Sequence, residues 1–101
     1  MDWPLGDDEM KTMKVNRPNL IEIIDILSLC PLLLSEGVIS LRQHDFISSK
    51  SSKSEKNEAL LEAMYRFSQR QFQLCLTGLH KTCQGHVADI LSKSGGELYN
   101  F

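Results

Sequence analysis

The sequence predicts a single all-α domain in which short helices pack around one core. Three observations lead to this prediction. Apolar residues recur at helical spacing along most of the 101 residues. Three Ser-x-x-Gln or Ser-x-x-Glu capping boxes mark helix starts. No segment alternates apolar and polar residues as a half-buried strand would. A chain of this length supports one hydrophobic core, so we expect five or six helices joined by short loops.

The first predicted helix contains an interruption. Residues 1–9 include a proline, a glycine and the three consecutive acids Asp7, Asp8 and Glu9, and we expect a flexible lead-in with order beginning near Asp8. Helical spacing then runs from Met10 to Leu27 but is broken at Asn16-Arg17-Pro18, because proline removes a backbone hydrogen bond and crowds the preceding turn. Either the helix begins at Asn16, or a helix from about residue 8 is kinked there.

The second and third predicted helices are short. Ser28 would cap the second, with Pro31 in its first turn, where a missing N–H does no harm. Gly37 would end it, since glycine accepts the left-handed conformation after a helix. Its expected core residues are Leu29, Leu32 and Leu33. The box Ser40-x-x-Gln43 opens the third helix, whose expected apolar contacts are Leu41 and Ile47.

Three more helices follow the polar run SSKSSK at 48–53, which we expect to be an exposed loop. Ser52 and Glu55 open the fourth, with Leu60, Leu61 and Met64 facing the core. Ser68 and Gln71 open the fifth, and Phe67 and Phe72 flank this box as a hydrophobic staple. One stripe of the fifth helix holds Phe72, Cys75, Leu76, Leu79 and Cys83. A short sixth helix follows with Val87, Ile90 and Leu91, and residues 94–101 are expected to fray.

The composition gives no sign of a nucleic-acid or membrane partner. The formal charge is −2, and no apolar run approaches the roughly 18 residues of a membrane span. The N-terminal residues lack the basic and apolar regions of a secretory signal. Three cysteines on or beside apolar helical runs suggest buried, reduced thiols. We therefore expect a cytoplasmic protein, with the nucleus as a second location.

No catalytic or metal chemistry is predicted. His80, Cys83 and His86 are closely spaced, but a helix end separates them and a fourth ligand is missing, which argues against zinc. Cys75 lies on the apolar stripe, whereas a nucleophile needs an exposed thiolate with a base in reach. The Gln-Ala-Cys-x-Gly signature of caspase catalytic domains is absent. We therefore expect neither catalysis nor a cofactor in this chain.

The order of residues in the second half resembles a known family. A Leu-Leu pair, a basic residue, Phe72 and Leu79 precede the run Thr82-x-Gln84-Gly85-His86-x-x-Asp89-x-Leu91. This pattern resembles the caspase recruitment domain (CARD) of the death-fold superfamily, and most closely the N-terminal prodomains of caspase-2-like initiator caspases. The resemblance covers residues 16–91. One departure is Phe67-Ser68-Gln69, where relatives commonly carry Arg-Gly-Pro. The resemblance implies a six-helix antiparallel death-fold bundle over residues 10–93, with a kinked first helix.

The resemblance also implies two charged faces, because in CARDs a basic face on helices one and four docks an acidic face on helices two and three of a partner. Lys11, Lys14 and Arg17 share one helical face at spacings of three, and the predicted basic face comprises Lys11, Lys14, Arg17, Lys53 and Lys56. Arg66 and Arg70 could extend it. The predicted acidic face comprises Glu22, Asp25, Glu36 and Asp45. Two departures are Glu58, where the family is often basic, and Pro31, where it is acidic. From composition alone, a solvated helix face that only keeps the protein soluble is the simpler interpretation.

The implied function is homotypic recruitment of an initiator caspase or its adaptor in apoptotic signalling, with self-association through CARD–CARD contacts as a further expectation. Alternatives are the CARD of a non-protease adaptor or scaffold, and a CARD-only inhibitor of caspase recruitment. We expect charge reversal at Arg17 to leave the helical fold intact and to weaken partner recruitment. The hypothesis of a basic face fails if Lys14 and Arg17 are scattered or engaged inside their own molecule.

Overall fold

The structure is a computed structural model that describes residues 3–92. Within those residues it is all-α, with seven helices and no strand. The helices are α1 (Asp7–Val15), α2 (Arg17–Ile23), α3 (Ile26–Ser35), α4 (Leu41–Ser48), α5 (Lys53–Met64), α6 (Gln69–Lys81) and α7 (Gly85–Ser92). The predicted fold class is confirmed as all-α, and the described helices outnumber the predicted six by one.

The additional helix arises because the first predicted helix is divided at Asn16, where we predicted a kink. Asn16 ends α1 and precedes α2 with φ −96° and ψ 6°, outside the α-helical region. Pro18, in the first turn of α2, has no N–H to continue the ladder of hydrogen bonds. The buried Asn16 side chain donates from Nδ2 to the Thr12 carbonyl at 2.9 Å. The proline therefore separates two helices instead of bending one.

Helix α3 begins earlier than predicted. It starts at Ile26, after Asp25, so Ser28 lies inside the first turn and its hydroxyl donates to Asp25 Oδ2 at 2.8 Å. Pro31 is consequently interior, not in the first turn. The predicted end is confirmed: Gly37 has φ +74°, and the N–H groups of Gly37 and Val38 donate to the carbonyls of Leu34 and Leu33.

Serine caps begin the next three helices as predicted. The side chains of Ser40, Ser52 and Ser68 accept hydrogen bonds from backbone N–H groups three residues later. The reciprocal glutamine bonds of the capping box form at α4 and α6. One predicted contact of α4 is wrong. Ile47 is buried, but Leu41 is 62% exposed because it follows the cap directly and lies on the solvent side.

The stripe on α6 is confirmed except at its end. Phe72, Cys75 and Leu79 are buried, and Leu76 packs against the core at its edge. Cys83 is exposed instead, since α6 ends at Lys81 and Cys83 adopts a left-handed φ of +62°. The prediction of a buried thiol therefore holds for Cys30 and Cys75 and is wrong for Cys83.

The core is formed by all seven helices. Helix α5 contacts α2, α3 and α4, α6 contacts α3 and α7, and α1 contacts both α2 and α7. The large side chains that are fully buried are Met13, Leu20, Ile24, Leu29, Leu33, Ile47, Leu60, Leu61, Met64, Leu79, Ile90 and Leu91. The three predicted core residues of α5 and the three of α7 are all buried.

Two buried amides hold the sharp junction between α2 and α3, where the chain turns by 93°. Asn57 of α5 donates from Nδ2 to the carbonyls of Ile21 and Ile24, at 2.7 and 3.0 Å. Gln84 accepts from the Asp25 N–H at 2.8 Å and donates to the Asp25 carbonyl at 3.1 Å. The Ile21 and Ile24 carbonyls and the Asp25 N–H thereby gain partners that neither helix supplies, and the Asp25 carbonyl accepts the Leu29 N–H of α3 as well.

The N-terminal residues contact the start of α6. The Gln69 N–H donates to the Trp3 carbonyl at 2.6 Å, and Gln69 Nε2 donates to the Pro4 carbonyl and to Glu9 Oε1. Helix α1 begins at Asp7, so the predicted boundary between lead-in and domain at residue 10 falls inside a helix. The predicted tail, 94–101, lies outside the described residues.

Between residues 3 and 92 no single helix is both long enough and apolar enough to cross a membrane. The helices α2 and α3 meet those limits of length and hydropathy only as a pair, and that pair is bent by 93°.

Candidate interaction surface

The predicted basic face contains two lysines that are free to meet a partner. Lys11 and Lys14 lie on α1, both are exposed, and neither makes a hydrogen bond or ion pair with another residue of the described chain. Helix α1 packs against α2 and α7, which leaves these lysines pointing to solvent. They form the α1 lysine pair, two exposed cations that follow the acidic first turn of α1.

Arg17 does not belong with this pair. Its Nη1 donates to the Tyr65 hydroxyl at 3.1 Å, and its Nη2 lies 3.2 Å from Glu62 and 3.9 Å from Glu58. The guanidinium also lies 6.0 Å from the centre of the Tyr65 ring, at the outer limit of a cation–π contact. The hydrogen bond to Tyr65, supported by the two carboxylates, raises the pKa of Arg17 above its usual value.

The Arg17 side chain is therefore engaged inside its own molecule, which contradicts a basic face centred on it. The reason is the break at Asn16: Arg17 starts α2, and α2 packs on α5, where the acids lie. A face that includes Lys14 and Arg17 on one continuous helix does not form. The Lys14 side chain has no ion pair in the described residues, whereas the Arg17 side chain pairs with Glu58 and Glu62.

Lys53 and Lys56 lie in the first turn of α5, near Asp25, which we predicted on the acidic face. Lys56 donates to the Lys50 carbonyl at 2.8 Å, and Lys53 is exposed. Both line a groove of about 280 Å³ together with Asp25, Ile26 and Leu27. The structure thus places Asp25, which we predicted on the acidic face, in the same groove as Lys53 and Lys56, which we predicted on the basic face.

The four predicted acidic residues lie on different parts of the chain. Glu22 is exposed on α2, and Asp25 accepts the Ser28 hydroxyl before α3. Glu36, after α3, pairs with Lys81 of α6 at 2.8 Å. Asp45 on α4 is largely exposed and lies 3.5 Å from His44 Nδ1. Glu22 and Asp45 remain the most available of the four carboxylates.

An acidic surface that the sequence-based prediction missed runs along α5. Glu55, Glu58 and Glu62 follow one another at spacings of three and four, so they share the outer face of the helix. They line a groove of about 250 Å³ with Phe46 of α4, which is 57% exposed. The spacing of the three glutamates was the available signal, whereas the prediction treated Glu58 only as a departure from the family pattern.

The second missed feature is apolar. Leu27, on the first turn of α3, is 77% exposed, although we assigned it to the helical pattern of the first helix. Helical periodicity could not identify it as exposed, because the chain bends by 93° between α2 and α3 and starts a new helical phase.

The buried cysteines do not support nucleophilic chemistry. Burial raises the pKa of the Cys75 thiol to about 12, and burial also raises the pKa of Cys30. Both thiols are therefore protonated near neutral pH, whereas a cysteine nucleophile must be a thiolate. Within residues 3–92 no three His, Cys, Asp or Glu side chains are arranged to hold a metal ion. The surface offers charged and apolar patches suited to contact with another protein.

The run from Thr82 to Gly85 that suggested the family also has a clear structural role. Gln84 Nε2 donates to Thr82 Oγ1 at 2.9 Å as well as to the Asp25 carbonyl, and the Thr82 hydroxyl donates back to the Gly78 carbonyl. These side chains connect the end of α6 to the junction between α2 and α3. The motif is thus part of what holds the fold together.

Comparison with known families gives one match. The family model for the caspase recruitment domain matches residues 10–94, which is most of the chain. No solved structure matches the chain. The all-α architecture is consistent with the death fold of that family, whose members bind other CARD-containing proteins by homotypic contacts in apoptotic and inflammatory signalling. The chain belongs to the caspase recruitment domain family, whose domains are protein-interaction modules.

Proposed function

We propose that this CARD recruits and clusters a caspase-2-like initiator caspase, or the adaptor of such a caspase, in apoptotic signalling in the cytoplasm. The observation that supports the proposal best is the α1 lysine pair, Lys11 and Lys14. These are exposed cations of a CARD that have no partner among the described residues, so their charge is available to an acidic surface on a sister domain.

Recruitment would act by raising local concentration. When a CARD tethers an attached domain to an assembly, a second encounter becomes nearly intramolecular, and its effective concentration is set by the tether. Attached protease domains that need to dimerise would then do so because their local concentration is high. Glu22 and Asp45 are the acids available for the reciprocal role, in which this chain receives the basic face of another CARD.

The contribution of the α1 lysine pair is one of steering. Charges at the rim of an interface raise the association rate and select the partner, whereas the affinity comes mainly from its packed centre. A charge reversal should therefore lower the association rate and make binding less sensitive to salt. Arg17 is unsuited to this test, because replacing it also removes contacts with Tyr65 and Glu62 that hold α2 on α5.

The experiment measures binding of the purified chain to a panel of purified adaptor and initiator-caspase CARDs. We expect Lys14→Glu to weaken binding to the cognate CARD about fivefold to tenfold, mainly through the association rate. The matched control is Arg42→Glu, which reverses one exposed cation on α4 that has no hydrogen bond or ion pair within the described chain.

Equal affinities of Lys14→Glu and the unmodified chain would contradict the role of the α1 lysine pair. If no CARD of the panel binds, the proposed recruitment function itself is wrong. Both variants should keep the helical circular dichroism spectrum and the melting temperature of the parent, since neither side chain makes a hydrogen bond or an ion pair among the described residues.

A further inference from the structure

Two adjoining hollows lie where the start of α3 meets α4 and α5. The larger is the groove of about 280 Å³ that Lys53 and Asp25 line, and the smaller is a cavity of about 70 Å³. Both hollows are lined by Ile26, Leu27 and Lys56, so they share a wall. We name the two together the α3–α5 cleft. A ligand that occupies both halves would contact three helices.

The smaller half of the cleft is mainly apolar. Its walls include Cys30, Pro31 and Ile47 besides the shared residues. Its volume of about 70 Å³ is roughly half that of a cavity of about 150 Å³ that holds benzene, so it suits an aliphatic side chain better than an aromatic ring. Leu27 is 77% exposed, the highest value among the large hydrophobic residues of the described chain. An aliphatic group in the cleft would cover part of that leucine.

The larger half of the cleft carries positive charge. Lys53 and Lys56 line it, and neither has an ion pair within residues 3–92. Lys56 Nζ donates one hydrogen bond to the neutral Lys50 carbonyl at 2.8 Å, which leaves two of its N–H donors for a ligand. Asp25 is the one carboxylate along the cleft, and its Oδ2 accepts the Ser28 hydroxyl at 2.8 Å. With two cations against one carboxylate, the cleft favours an anionic group.

The smaller half also contains a polar atom without a partner. His44 lines this half, and its Nδ1 is buried with no hydrogen-bond partner among the described residues. The Asp45 carboxylate, 3.5 Å away, does not form a hydrogen bond with it. A buried polar atom without a partner is unfavourable, so a ligand that supplies the partner gains affinity. The unpaired backbone N–H and C=O groups of an extended peptide can supply it, whereas the hydrocarbon chain of a fatty acid cannot.

We infer that the α3–α5 cleft binds an extended peptide segment of another protein, in which carboxylates flank an aliphatic side chain. The aliphatic side chain enters the smaller half beside Leu27, where a backbone group of the peptide pairs with His44. The carboxylates lie near Lys53 and Lys56. This partner is a short linear segment and not a folded sister domain, so the inference does not rest on the proposed function. No residue of α1 lines the cleft, which leaves the α1 lysine pair available while a peptide is bound.

Fluorescence anisotropy with a labelled peptide tests the inference. The probe is the peptide Ser-Glu-Asp-Leu-Asp-Glu-Ser with an N-terminal fluorescein and a C-terminal amide, and it is titrated with the purified chain. One matched probe has asparagine in place of leucine, and the other has all four acids replaced by their amides. Each matched probe should bind about tenfold more weakly or worse, because the first loses apolar burial and the second loses its charge.

Two variants with matched controls locate the binding on the molecule. Lys53→Glu should lower the affinity for the probe about tenfold, since the new carboxylate repels those of the peptide. Its control is Arg42→Glu, which reverses an exposed cation of α4 that lines neither half and should bind like the parent. Leu27→Asn should weaken binding about fivefold or more, whereas Leu41→Asn, at a leucine that is 62% exposed outside the cleft, should have no effect. Thermal melts would establish that all four variants are folded.

Three results would overturn the inference: no binding of the probe at concentrations up to about 1 mM, equal affinities for the three probes, or equal effects of the cleft variants and their controls. Sedimentation velocity of the parent, with and without the probe, covers a different occupant. If the chain self-associates and the probe dissociates it, a second copy fills the cleft and the assignment to a peptide of another protein is wrong.

The CARD binding panel separates this inference from the proposed function. Lys53→Glu should bind the cognate CARD like the parent, and Lys14→Glu should bind the peptide probe like the parent. Loss of peptide binding with intact CARD binding in Lys53→Glu supports a separate site. Loss of both in that variant would show that the cleft belongs to the CARD contact, which overturns the inference and leaves the proposed function standing.

Discussion

The ends of α3 and α6 have the same backbone geometry but reach it in different ways. In each, one residue takes a positive φ and two N–H groups donate to carbonyls of the last turn, the pattern of a Schellman motif. The residue at α3 is Gly37, which adopts this conformation without a steric penalty, and at α6 it is Cys83, which does not. The local sequence explains the end of α3, whereas the end of α6 requires stabilising contacts with residues outside the turn.

Those contacts are made by Gln84, the residue after Cys83. Its side chain is buried and makes two hydrogen bonds to the Asp25 backbone and one to Thr82. These bonds hold the chain in a turn that cysteine alone would disfavour. The comparison shows that one backbone conformation can be specified by a single residue or imposed by a tertiary contact. Substitutions at Gln84, Gly37 and Cys83 separate the two cases, and we expect their effects to decrease in that order.

Gln84→Ala should have the largest effect, a loss of about 2–3 kcal/mol in the free energy of unfolding. The substitution removes three hydrogen bonds and leaves the Asp25 N–H without the acceptor that it has in a partly buried site. Urea denaturation followed by circular dichroism would measure it. The control is Gln73→Ala at an exposed glutamine of α6 with no side-chain bond in the described structure, where a similar loss would show that the Gln84 contacts are unimportant.

Gly37→Ala should lower the free energy of unfolding by about 1 kcal/mol, because an L residue pays a steric penalty at φ +74°. No atom lies within 4 Å of the added Cβ, so the penalty is conformational and not a clash. Gly37→Asn should lose less, since asparagine tolerates this region better than alanine. Equal losses for alanine and asparagine in the same denaturation experiment would contradict this explanation.

Cys83→Gly should have the smallest effect and the opposite sign, a gain of about 0.5 kcal/mol in the free energy of unfolding. Glycine relieves the strain at φ +62°, and its greater freedom in the unfolded chain offsets part of that gain. Cys83→Ser keeps the strained conformation and should leave the melting temperature unchanged. A Cys83→Gly protein that melts at or below the parent would show that the positive φ of Cys83 carries no measurable strain.

The charged surface has a parallel contrast in Lys14 and Arg17, three residues apart. Their spacing predicts one shared helical face, which would be correct for a continuous helix. The proline at position 18 separates them into two helices, after which α1 keeps Lys14 in solvent and α2 presents Arg17 to α5. The spacing thus predicted that the two cations share a helical face. It could not show which of the two side chains pairs with carboxylates of its own molecule.

Local signals in the sequence determined the helical class, the serine caps of α4, α5 and α6, the glycine end of α3 and the buried stripes of α5, α6 and α7. These features depend on interactions within a few residues or on the period of a helix, which a sequence displays directly. The tertiary structure alone decided that Arg17 is engaged, that Leu27 and Leu41 are exposed, and that Asn57 and Gln84 hold the turn between α2 and α3. Those outcomes depend on which distant backbone or carboxylate group lies opposite a side chain, and only the packing of the helices fixes that position.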